Sequence, residues 1–404
     1  MTLIAPTIPF IRDRFTWLAY LLLAYYAYLQ ASFGPISPFL RAELKLSYTV
    51  GGLHLSAFAL GLVLAGLLGD RGAARWGRAQ VLWGGALGLA LGTLGLVTAL
   101  HVVLTLSSAL LMGFAGSLVL VMVQATLSDR HGPRRAVALT EANLAASVSA
   151  TLVPLCVGAF ERAGLGWRAA LFVPLALLLF LLVGRLWRIP VPQPRLAGAE
   201  EPGRACAPAR LPRLFWFYWV VLLLAVSAEW SLVLWSPDFL EKVTGLERVT
   251  AVTAMSLFFS AAIVGRLIIS RLARRVASQQ LLLLALILTT AGFGLFWLVN
   301  NTTLTLVGLF VTGLGVAALF PLTLATATNV AEAQANAASA RVALGAGLAM
   351  LLAPLTLGWA ADQIDIRQAF ALVGSLLFTA TAVTLSASSG WRVAKGEGRV
   401  MSDE

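Results

Sequence analysis

Twelve long apolar runs constrain this chain more than any other feature of its sequence. Polar turns such as Asn300-Asn301 and Asp362-Gln363 separate them. Backbone groups in lipid have no water to bond, so runs of about 20 residues must be helices, since barrel strands are about half as long. The sequence predicts twelve transmembrane helices, near residues 16–38, 50–69, 80–99, 102–126, 137–159, 168–187, 215–237, 250–271, 279–299, 303–327, 338–360 and 368–389.

Composition agrees with a chain surrounded mostly by lipid. Apolar residues make up 59% of the 404 residues and charged residues only 12%. Such a balance does not fit a water-soluble surface. The net charge of +11 is typical of nucleic-acid-binding proteins. Here, however, the basic residues lie between the apolar runs, so we expect a lipid bilayer and no nucleic acid as partner.

The distribution of basic residues predicts the orientation of the chain. With a cytoplasmic N-terminus, segments facing the cytoplasm carry 22 of the 29 lysines and arginines. This positive-inside bias places both termini in the cytoplasm. The first run is long enough to span, which favours a retained helix over a cleaved signal peptide. The preference for arginine over lysine favours a bacterial source, hence a multi-pass protein of the bacterial cytoplasmic (inner) membrane.

A proline-rich segment divides the runs six and six. It carries six prolines together with several charged residues, which is typical of a linker. We therefore predict an N-terminal six-helix bundle over residues 1–188, a cytoplasmic linker over 189–213 and a C-terminal six-helix bundle over 214–404.

The two predicted bundles share a sequence pattern. Pro154-Leu155 in the fifth run recurs 200 residues later as Pro354-Leu355 in the eleventh. Parallel repeats of six helices place a solute path between the halves and allow alternating access by rocking. The pattern favours a transporter.

The end of the second run carries a charged motif. It reads Gly66-Leu67-Leu68-Gly69-Asp70-Arg71, followed by Arg75, Gly77 and Arg78. This segment resembles the Gly-x-x-x-Asp-Arg-x-Gly-x-Arg loop of the major facilitator superfamily. The resemblance implies an all-α membrane transporter of twelve helices in two pseudo-symmetric six-helix bundles, with helices 1, 4, 7 and 10 around a central cavity. It implies no particular substrate.

Other functions remain open at this point. Drug/proton antiporters of this superfamily usually carry Gly-Pro in the fifth helix, whereas Val153 precedes Pro154 here; drug or metabolite efflux by proton antiport is kept as an alternative. A non-transporting sensor of the same fold is another. The chain has no metal-binding His/Glu cluster, no Gly-x-Ser-x-Gly elbow and no Walker-type loop, so we expect no enzyme, no cofactor and no metal.

Glu229 is the acidic residue that lies deepest within an apolar run. It is near the middle of the seventh run, where an ionisable side chain costs roughly 2.5 kcal/mol or more and is a functional candidate by default. A buried carboxyl group can be protonated at neutral pH and exchange its proton as the cavity opens to either side. We expect Glu229 to couple transport to protons, as in a symporter or similar permease; the alternative is a structural hydrogen bond between helices.

The resemblance also implies a gate at the cytoplasmic side. In the family's packing, helix 2 lies against helix 11 and helix 5 against helix 8, so Asp70 would face Arg341 and Glu141 would face Arg266. Arg71 of the motif is counted with this gate, although it also fits an orientation signal. Ion pairs that break when the cavity opens suit a two-state element.

The implied cavity helices carry polar and aromatic residues. No basic residue lies in the middle of helices 1, 4, 7 or 10, which disfavours an anionic solute. We expect a small neutral or amphipathic organic solute, for which a sugar-like compound is one option. We also expect protons to be the coupling ion and the protein to be a monomer. The candidate lining residues, with Glu229, are Tyr26, Gln30, Gln124, Trp230, Phe320 and Thr323.

Four further residues receive no functional role. His54 and Asp238 lie near outward ends of helices, where we expect water to solvate them or a helix cap to use them. The two cysteines lie in different parts of the chain, Cys156 in the fifth run and Cys206 in the linker. Two cysteines so placed do not indicate a disulfide framework or a metal site.

Overall fold

The computed structural model describes residues 10–184, 186–192, 211–331 and 334–400, without the side chains of Asp70, Asn336 and residues 387–400. Within these ranges the chain is almost entirely helical and contains no strand. The predicted all-α membrane fold is confirmed.

The helices follow the predicted runs and extend beyond most of them. α6 is preceded by a 3-10 turn, Trp167–Leu171, and α4 is joined to α5 by another, Gly132–Arg134. The helices are α1 (Arg14–Leu44), α2 (Tyr48–Trp76), α3 (Arg78–Thr98), α4 (Val102–His131), α5 (Arg135–Arg162), α6 (Phe172–Val183), α7 (Arg213–Lys242), α8 (Arg248–Leu272), α9 (Ser278–Leu298), α10 (Thr302–Val330), α11 (Ala335–Gln363), the short α12 (Ile366–Ala369) and α13 (Ala371–Val400).

Nine stretches of the described chain are long and apolar enough to cross a membrane. One of them, Val102–Arg162, contains both α4 and α5. The sixth predicted run is a shorter apolar stretch, Trp167–Val183. α1 falls outside this set because its tyrosines and Gln30 make it less apolar, yet it is 31 residues long and almost wholly buried among the other helices. The helices are consistent with the predicted twelve spans.

Consecutive long helices alternate in direction, so the bundle has two ends. The terminal face is the end where α1 begins, α6 ends and α7 begins. The distal face is the opposite end, with the short connections that follow α1, α3, α5, α7, α9 and α11. These names refer to the chain alone and not to the sides of a membrane.

Helix packing repeats with an offset of 200 residues. An added Cβ on Gly113 would lie 1.9 Å from the Phe58 carbonyl oxygen, and on Gly313 2.5 Å from that of Phe258. Only glycine allows α4 to approach α2, and α10 to approach α8, this closely. The bundle boundaries stay a prediction, because residues 193–210 of the linker lie outside the described residues.

The two sets of helices meet closely in their distal halves. A Cβ on Gly34 of α1 would lie 2.1 Å from the Val233 carbonyl oxygen of α7, and on Gly52 of α2 3.0 Å from the Leu355 Cα of α11. Near the terminal face, Gly66 of α2 has no atom of the described chain within 4 Å of such a Cβ. The interface is therefore tight at the distal end, whereas Gly66 faces open space near the terminal end.

Candidate functional site

A buried ion pair closes the distal end between α1 and α7. The Arg41 guanidinium contacts the Asp238 carboxylate, and their side chains are only 13% and 3% exposed. The Arg41 Cζ atom lies 3.5 Å from the centroid of the Tyr48 ring, which belongs to α2. The three helices are thus joined by one cation, and burial strengthens each of its electrostatic contacts.

Asp362 of α11 makes a second cross-link by capping the first turn of α2. Its carboxylate accepts hydrogen bonds from the backbone N–H groups of Tyr48 at 2.8 Å and Thr49 at 2.7 Å. The Thr49 hydroxyl donates another at 2.6 Å. A carboxylate at a helix N-terminus satisfies free N–H groups and complements the helix dipole. Asp362 therefore stabilises contact between α2 and α11.

The expectation that water solvates His54 and Asp238 is wrong. His54 is 2% exposed, with Nε2 2.7 Å from the Thr105 hydroxyl and Nδ1 2.9 Å from the Val50 carbonyl oxygen. Asp238 lies in the buried pair with Arg41. Both residues are near helix ends, but the distal ends pack together and exclude solvent.

Glu141 does not pair with Arg266 in this structure. Its carboxylate accepts two hydrogen bonds from the Arg12 guanidinium, at 2.6 and 2.8 Å, and one from the Tyr20 hydroxyl at 3.0 Å. Arg12 immediately precedes α1, which packs along α5. The nearest base therefore comes from within the first six helices, and the predicted cross-bundle partner of Glu141 is replaced.

The other predicted gate residues form no cross-bundle contact among the described side chains. Arg71 is exposed and donates to the Leu67 carbonyl oxygen at 3.2 Å within α2. Arg341 is exposed, and its carbonyl oxygen accepts from Trp219 Nε1 at 2.8 Å. The side chain of Asp70 lies outside the described residues, so its pairing with Arg341 stays a prediction.

α1 and α7 are equivalent in register, with an offset of 199 residues. Ser37-Pro38 in α1 matches Ser236-Pro237 in α7, and the helices begin at equivalent positions. Gln30 is therefore the counterpart of Glu229. Both side chains are partly buried. Each helix therefore carries a polar side chain at the same level of the apolar interior.

Three polar residues lie at a common depth. Gln30 precedes Leu44, the last residue of α1, by 14 positions. At 1.5 Å per residue it therefore lies about 21 Å from the distal end of its helix. The same measure puts Glu229 of α7 and Ser147 of α5 about 20 and 22 Å from theirs. These side chains occupy one level near the middle of the bundle.

Arg266 of α8 reaches the same level. Its Nη1 donates to the Ser147 hydroxyl of α5, a contact between the two sets of helices. It is the one charged group, among the described residues, with an electrostatic effect on Glu229. Gln30, Ser147, Glu229 and the Arg266 guanidinium are called the central layer below. The guanidinium of Arg266, a predicted gate residue, thus contacts Ser147 in place of Glu141.

The carboxylate of Glu229 has no hydrogen-bond or ion-pair partner within the described chain, and the residue keeps part of its surface exposed. Trp230 follows it and is also partly exposed. An unpaired carboxylate in the interior of a membrane protein is costly unless water or a ligand reaches it. The central layer therefore has the properties of a binding site for protons or solute.

Two predicted lining residues are buried. Tyr26 is 3% exposed, and its hydroxyl has no hydrogen-bond partner in the described chain. Thr323 is fully buried and donates its hydroxyl proton to the Leu319 carbonyl oxygen at 2.6 Å. Because neither side chain is accessible, neither can contact a solute in this state.

Two other predicted lining residues are accessible. Gln124 of α4 is exposed, and Phe320 of α10 has 37% of its surface exposed. Both lie in the halves of their helices nearer the terminal face. They can contact a solute that enters from that face.

Sequence reasoning missed Arg41, Tyr48 and Asp362 as closing residues, and Ser147 as the partner of Arg266. One signal was present: Asp238 is an acidic residue directly at the end of the seventh apolar run, next to Pro237. The register match between α1 and α7 aligns it with Phe39, so the second repeat gained a charge that its counterpart lacks.

Known proteins show the same organisation over most of the chain. An uncharacterized MFS-type transporter of Yersinia pestis is 26% identical over 358 residues, which cover 87% of this chain and 90% of the relative. Among solved structures, a bacterial homolog of the human lysosomal transporter Spinster, in an inward-facing and occupied conformation, is 16% identical. Its TM-score is 0.74, with 94% of this chain and 98% of that chain covered.

Two more solved structures share this fold. A D-xylose-proton symporter is 15% identical, with a TM-score of 0.72 and coverage of 92% of this chain and 96% of its own. The nucleoside transporter NupG is 13% identical, with a TM-score of 0.68 and coverage of 93% and 98%. The family model of the Major Facilitator Superfamily matches residues 16–302. The chain belongs to the Major Facilitator Superfamily and is a multi-pass membrane transporter rather than an enzyme.

Proposed function

We propose that this chain is a secondary active transporter that moves a small neutral or amphipathic organic solute by alternating access, with proton coupling through Glu229. The observation that carries the proposal is the central layer. It holds an unpaired carboxylate at mid-depth, between a sealed distal end and a terminal end near which Gly66 faces open space. A site accessible from one end only is one of the two states that alternating access requires.

The positive-inside bias supports a cytoplasmic position for the terminal face. With that orientation, in a bacterial inner membrane, the structure is open to the cytoplasm and closed to the outside. In the opposite state the distal contacts separate and the terminal ends of α2 and α11 approach. That movement brings Asp70 towards Arg341, so the predicted gate pair belongs to the outward-open state.

The solute class is supported by the chemistry of the accessible side chains. Gln30 and Gln124 offer amide donors and acceptors, and Trp230 and Phe320 offer aromatic surface. Glu229 and Arg266 together contribute no net charge when both are ionised. The similar proteins whose names mention D-xylose and nucleosides agree with a polar organic solute, and a sugar-like solute is one option.

Glu229 is suited to proton coupling because it can bind a proton in one state and release it in another. Arg266 is the charged neighbour that acts on it across the central layer. Movement of α8 relative to α5 would break the contact between Arg266 and Ser147 and free the guanidinium to move relative to Glu229, which would change the proton affinity of the carboxylate. We expect one solute site per chain and transport by the monomer.

Counterflow in proteoliposomes tests this function. Purified protein is reconstituted, and exchange of labelled solute is followed across a panel of sugars, nucleosides and amino acids, with and without a pH gradient. A transporter exchanges label and responds to the gradient. A sensor of the same fold binds without exchange, and that result would contradict the proposal.

Glu229→Gln separates proton coupling from solute movement. We expect exchange of label to stay measurable in counterflow, and accumulation driven by a pH gradient to fall at least tenfold relative to that exchange, because the amide cannot carry a proton. Glu247→Gln is the matched control, since Glu247 is an exposed residue of the connection before α8. Proton-driven accumulation that survives in Glu229→Gln would show that another group couples transport.

A further inference from the structure

The central layer presents opposite charges that are not paired directly. Glu229 acts electrostatically with Arg266, yet the described structure contains no ion pair between them. The Arg266 guanidinium reaches the level of Glu229 through its contact with Ser147, and the two residues are on adjacent helices of the same bundle. A gap between a carboxylate and a guanidinium in a low-dielectric interior leaves both charges incompletely compensated.

Arg266 is held in place but keeps free hydrogen-bonding capacity. Ser147 accepts one N–H group, and the remaining N–H groups of the guanidinium have no acceptor in the described chain. The side chain is exposed although it lies inside a membrane-spanning helix. Because an arginine exposed to lipid at that depth is strongly disfavoured, its exposed surface faces the open cavity.

We propose that the transported solute is a zwitterion, whose ammonium group binds Glu229 and whose carboxylate binds Arg266. This inference rests on the proposed function and specifies its substrate class. A guanidinium pairs with a carboxylate through two parallel hydrogen bonds, and an ammonium group supplies three donors to a carboxylate.

A zwitterion compensates both charges, and other solute classes do not. A neutral sugar can hydrogen-bond both groups but supplies no counter-charge to either. A simple cation satisfies Glu229 alone, and a simple anion satisfies Arg266 alone. The net charge of the bound solute is zero, in agreement with the neutral class proposed above. An ammonium group competes with a proton for Glu229, so solute and proton bind in turn.

The first experiment compares charge types in the counterflow assay. The standard amino acids with uncharged side chains are screened, and the one that exchanges fastest is compared with its methyl ester, its N-acetyl derivative and D-xylose. The ester is a cation and the N-acetyl derivative an anion. We expect the zwitterion to exchange at least tenfold faster than the other three.

Two outcomes contradict the inference in different ways. Exchange of D-xylose or another uncharged solute, with no exchange of any zwitterion, overturns the substrate class and leaves the transport function intact. No exchange of any solute in the panel overturns the proposed function as well.

The second experiment assigns each charge to its residue. Glu229→Gln is expected to shift preference at least tenfold from the amino acid towards its N-acetyl derivative, and Arg266→Gln by a similar factor towards the methyl ester. Glu247→Gln and Arg274→Gln, both at exposed positions, are the matched controls. Size-exclusion chromatography verifies that each variant is folded. Equal loss of all three compounds in both variants would show that these charges do not select the solute.

Discussion

Arg41 and Asp238 lie near helix ends, yet their side chains are almost completely buried. Their contact joins the last turn of α1 to α7, and the Tyr48 ring covers the guanidinium. Removal of one partner from a buried pair typically costs about 3–5 kcal/mol, because the other charge stays buried without compensation. Here that cost applies only to the state in which the distal end is closed.

Asp238→Asn is therefore expected to shift the protein towards the distal-open state. Spin labels on cysteines at Ala42 and Glu247, both exposed near the distal face, report the separation of the two sets of helices. Cys156 and Cys206 are first replaced by serine. We expect a longer label distance in the variant, and partial recovery of the short distance when Arg41→Asp is combined with Asp238→Arg. An unchanged distance in Asp238→Asn would show that the pair does not hold this end closed.

Glu141 shows why single-residue roles are hard to obtain from sequence. The family resemblance implied that Glu141 belongs to a gate at the cytoplasmic side. Its partner depends on whether α5 is closer to α1 or to α8 at that end, which is a property of the conformational state. Arg12 lies near Glu141 in this state because α1 and α5 remain packed together.

At the level of helices, close approach between backbones determines where the two sets of helices can meet. Gly34 of α1 contacts the backbone of α7 so closely that a methyl group would lie 2.1 Å from the Val233 carbonyl oxygen. A side chain there forces α1 and α7 apart. Gly66 of α2 has open space instead, so alanine fits and adds helix propensity.

Gly34→Ala is expected to weaken distal closure without removing any charge. The label distance between positions 42 and 247 should lengthen, and Gly66→Ala, the matched control, should leave it unchanged. If Gly34→Ala keeps the short distance and the same thermal stability, the α1–α7 contact is not a determinant of the closed state.

The positions of the helices could be predicted because the backbone within lipid must satisfy its hydrogen bonds internally, which a helix does. Every predicted run coincides with a helix, including the sixth, where a 3-10 turn precedes α6. The bounds were predicted too short because helices continue past the apolar core into polar ends: α2 extends to Trp76, and its end coincides with Gly77, which has a φ of +85°. The charged motif is therefore mostly helical rather than a loop.

At the level of the whole molecule, the two repeats are similar in their helix packing and differ in the residues of the central layer. Glycine contacts recur with an offset of 200 residues, while the matched positions Gln30 and Glu229 differ in charge. An amide in one repeat and a carboxylate in the other give a pseudo-symmetric cavity a preferred orientation for its solute. The central layer could be predicted in part: Gln30 and Glu229 came from the sequence, but Arg266 and Ser147 meet only through tertiary packing.

The central claim is that the layer at Gln30 and Glu229 is reachable from alternate ends of the bundle. Gln30→Cys, in a chain without Cys156 and Cys206, is reconstituted in vesicles of known orientation and exposed to a membrane-impermeant thiol reagent from each side. We predict modification from the side of the terminal face, and from the distal side as well once Asp238→Asn is added. A cysteine that stays unmodified from both sides in both backgrounds would contradict the account.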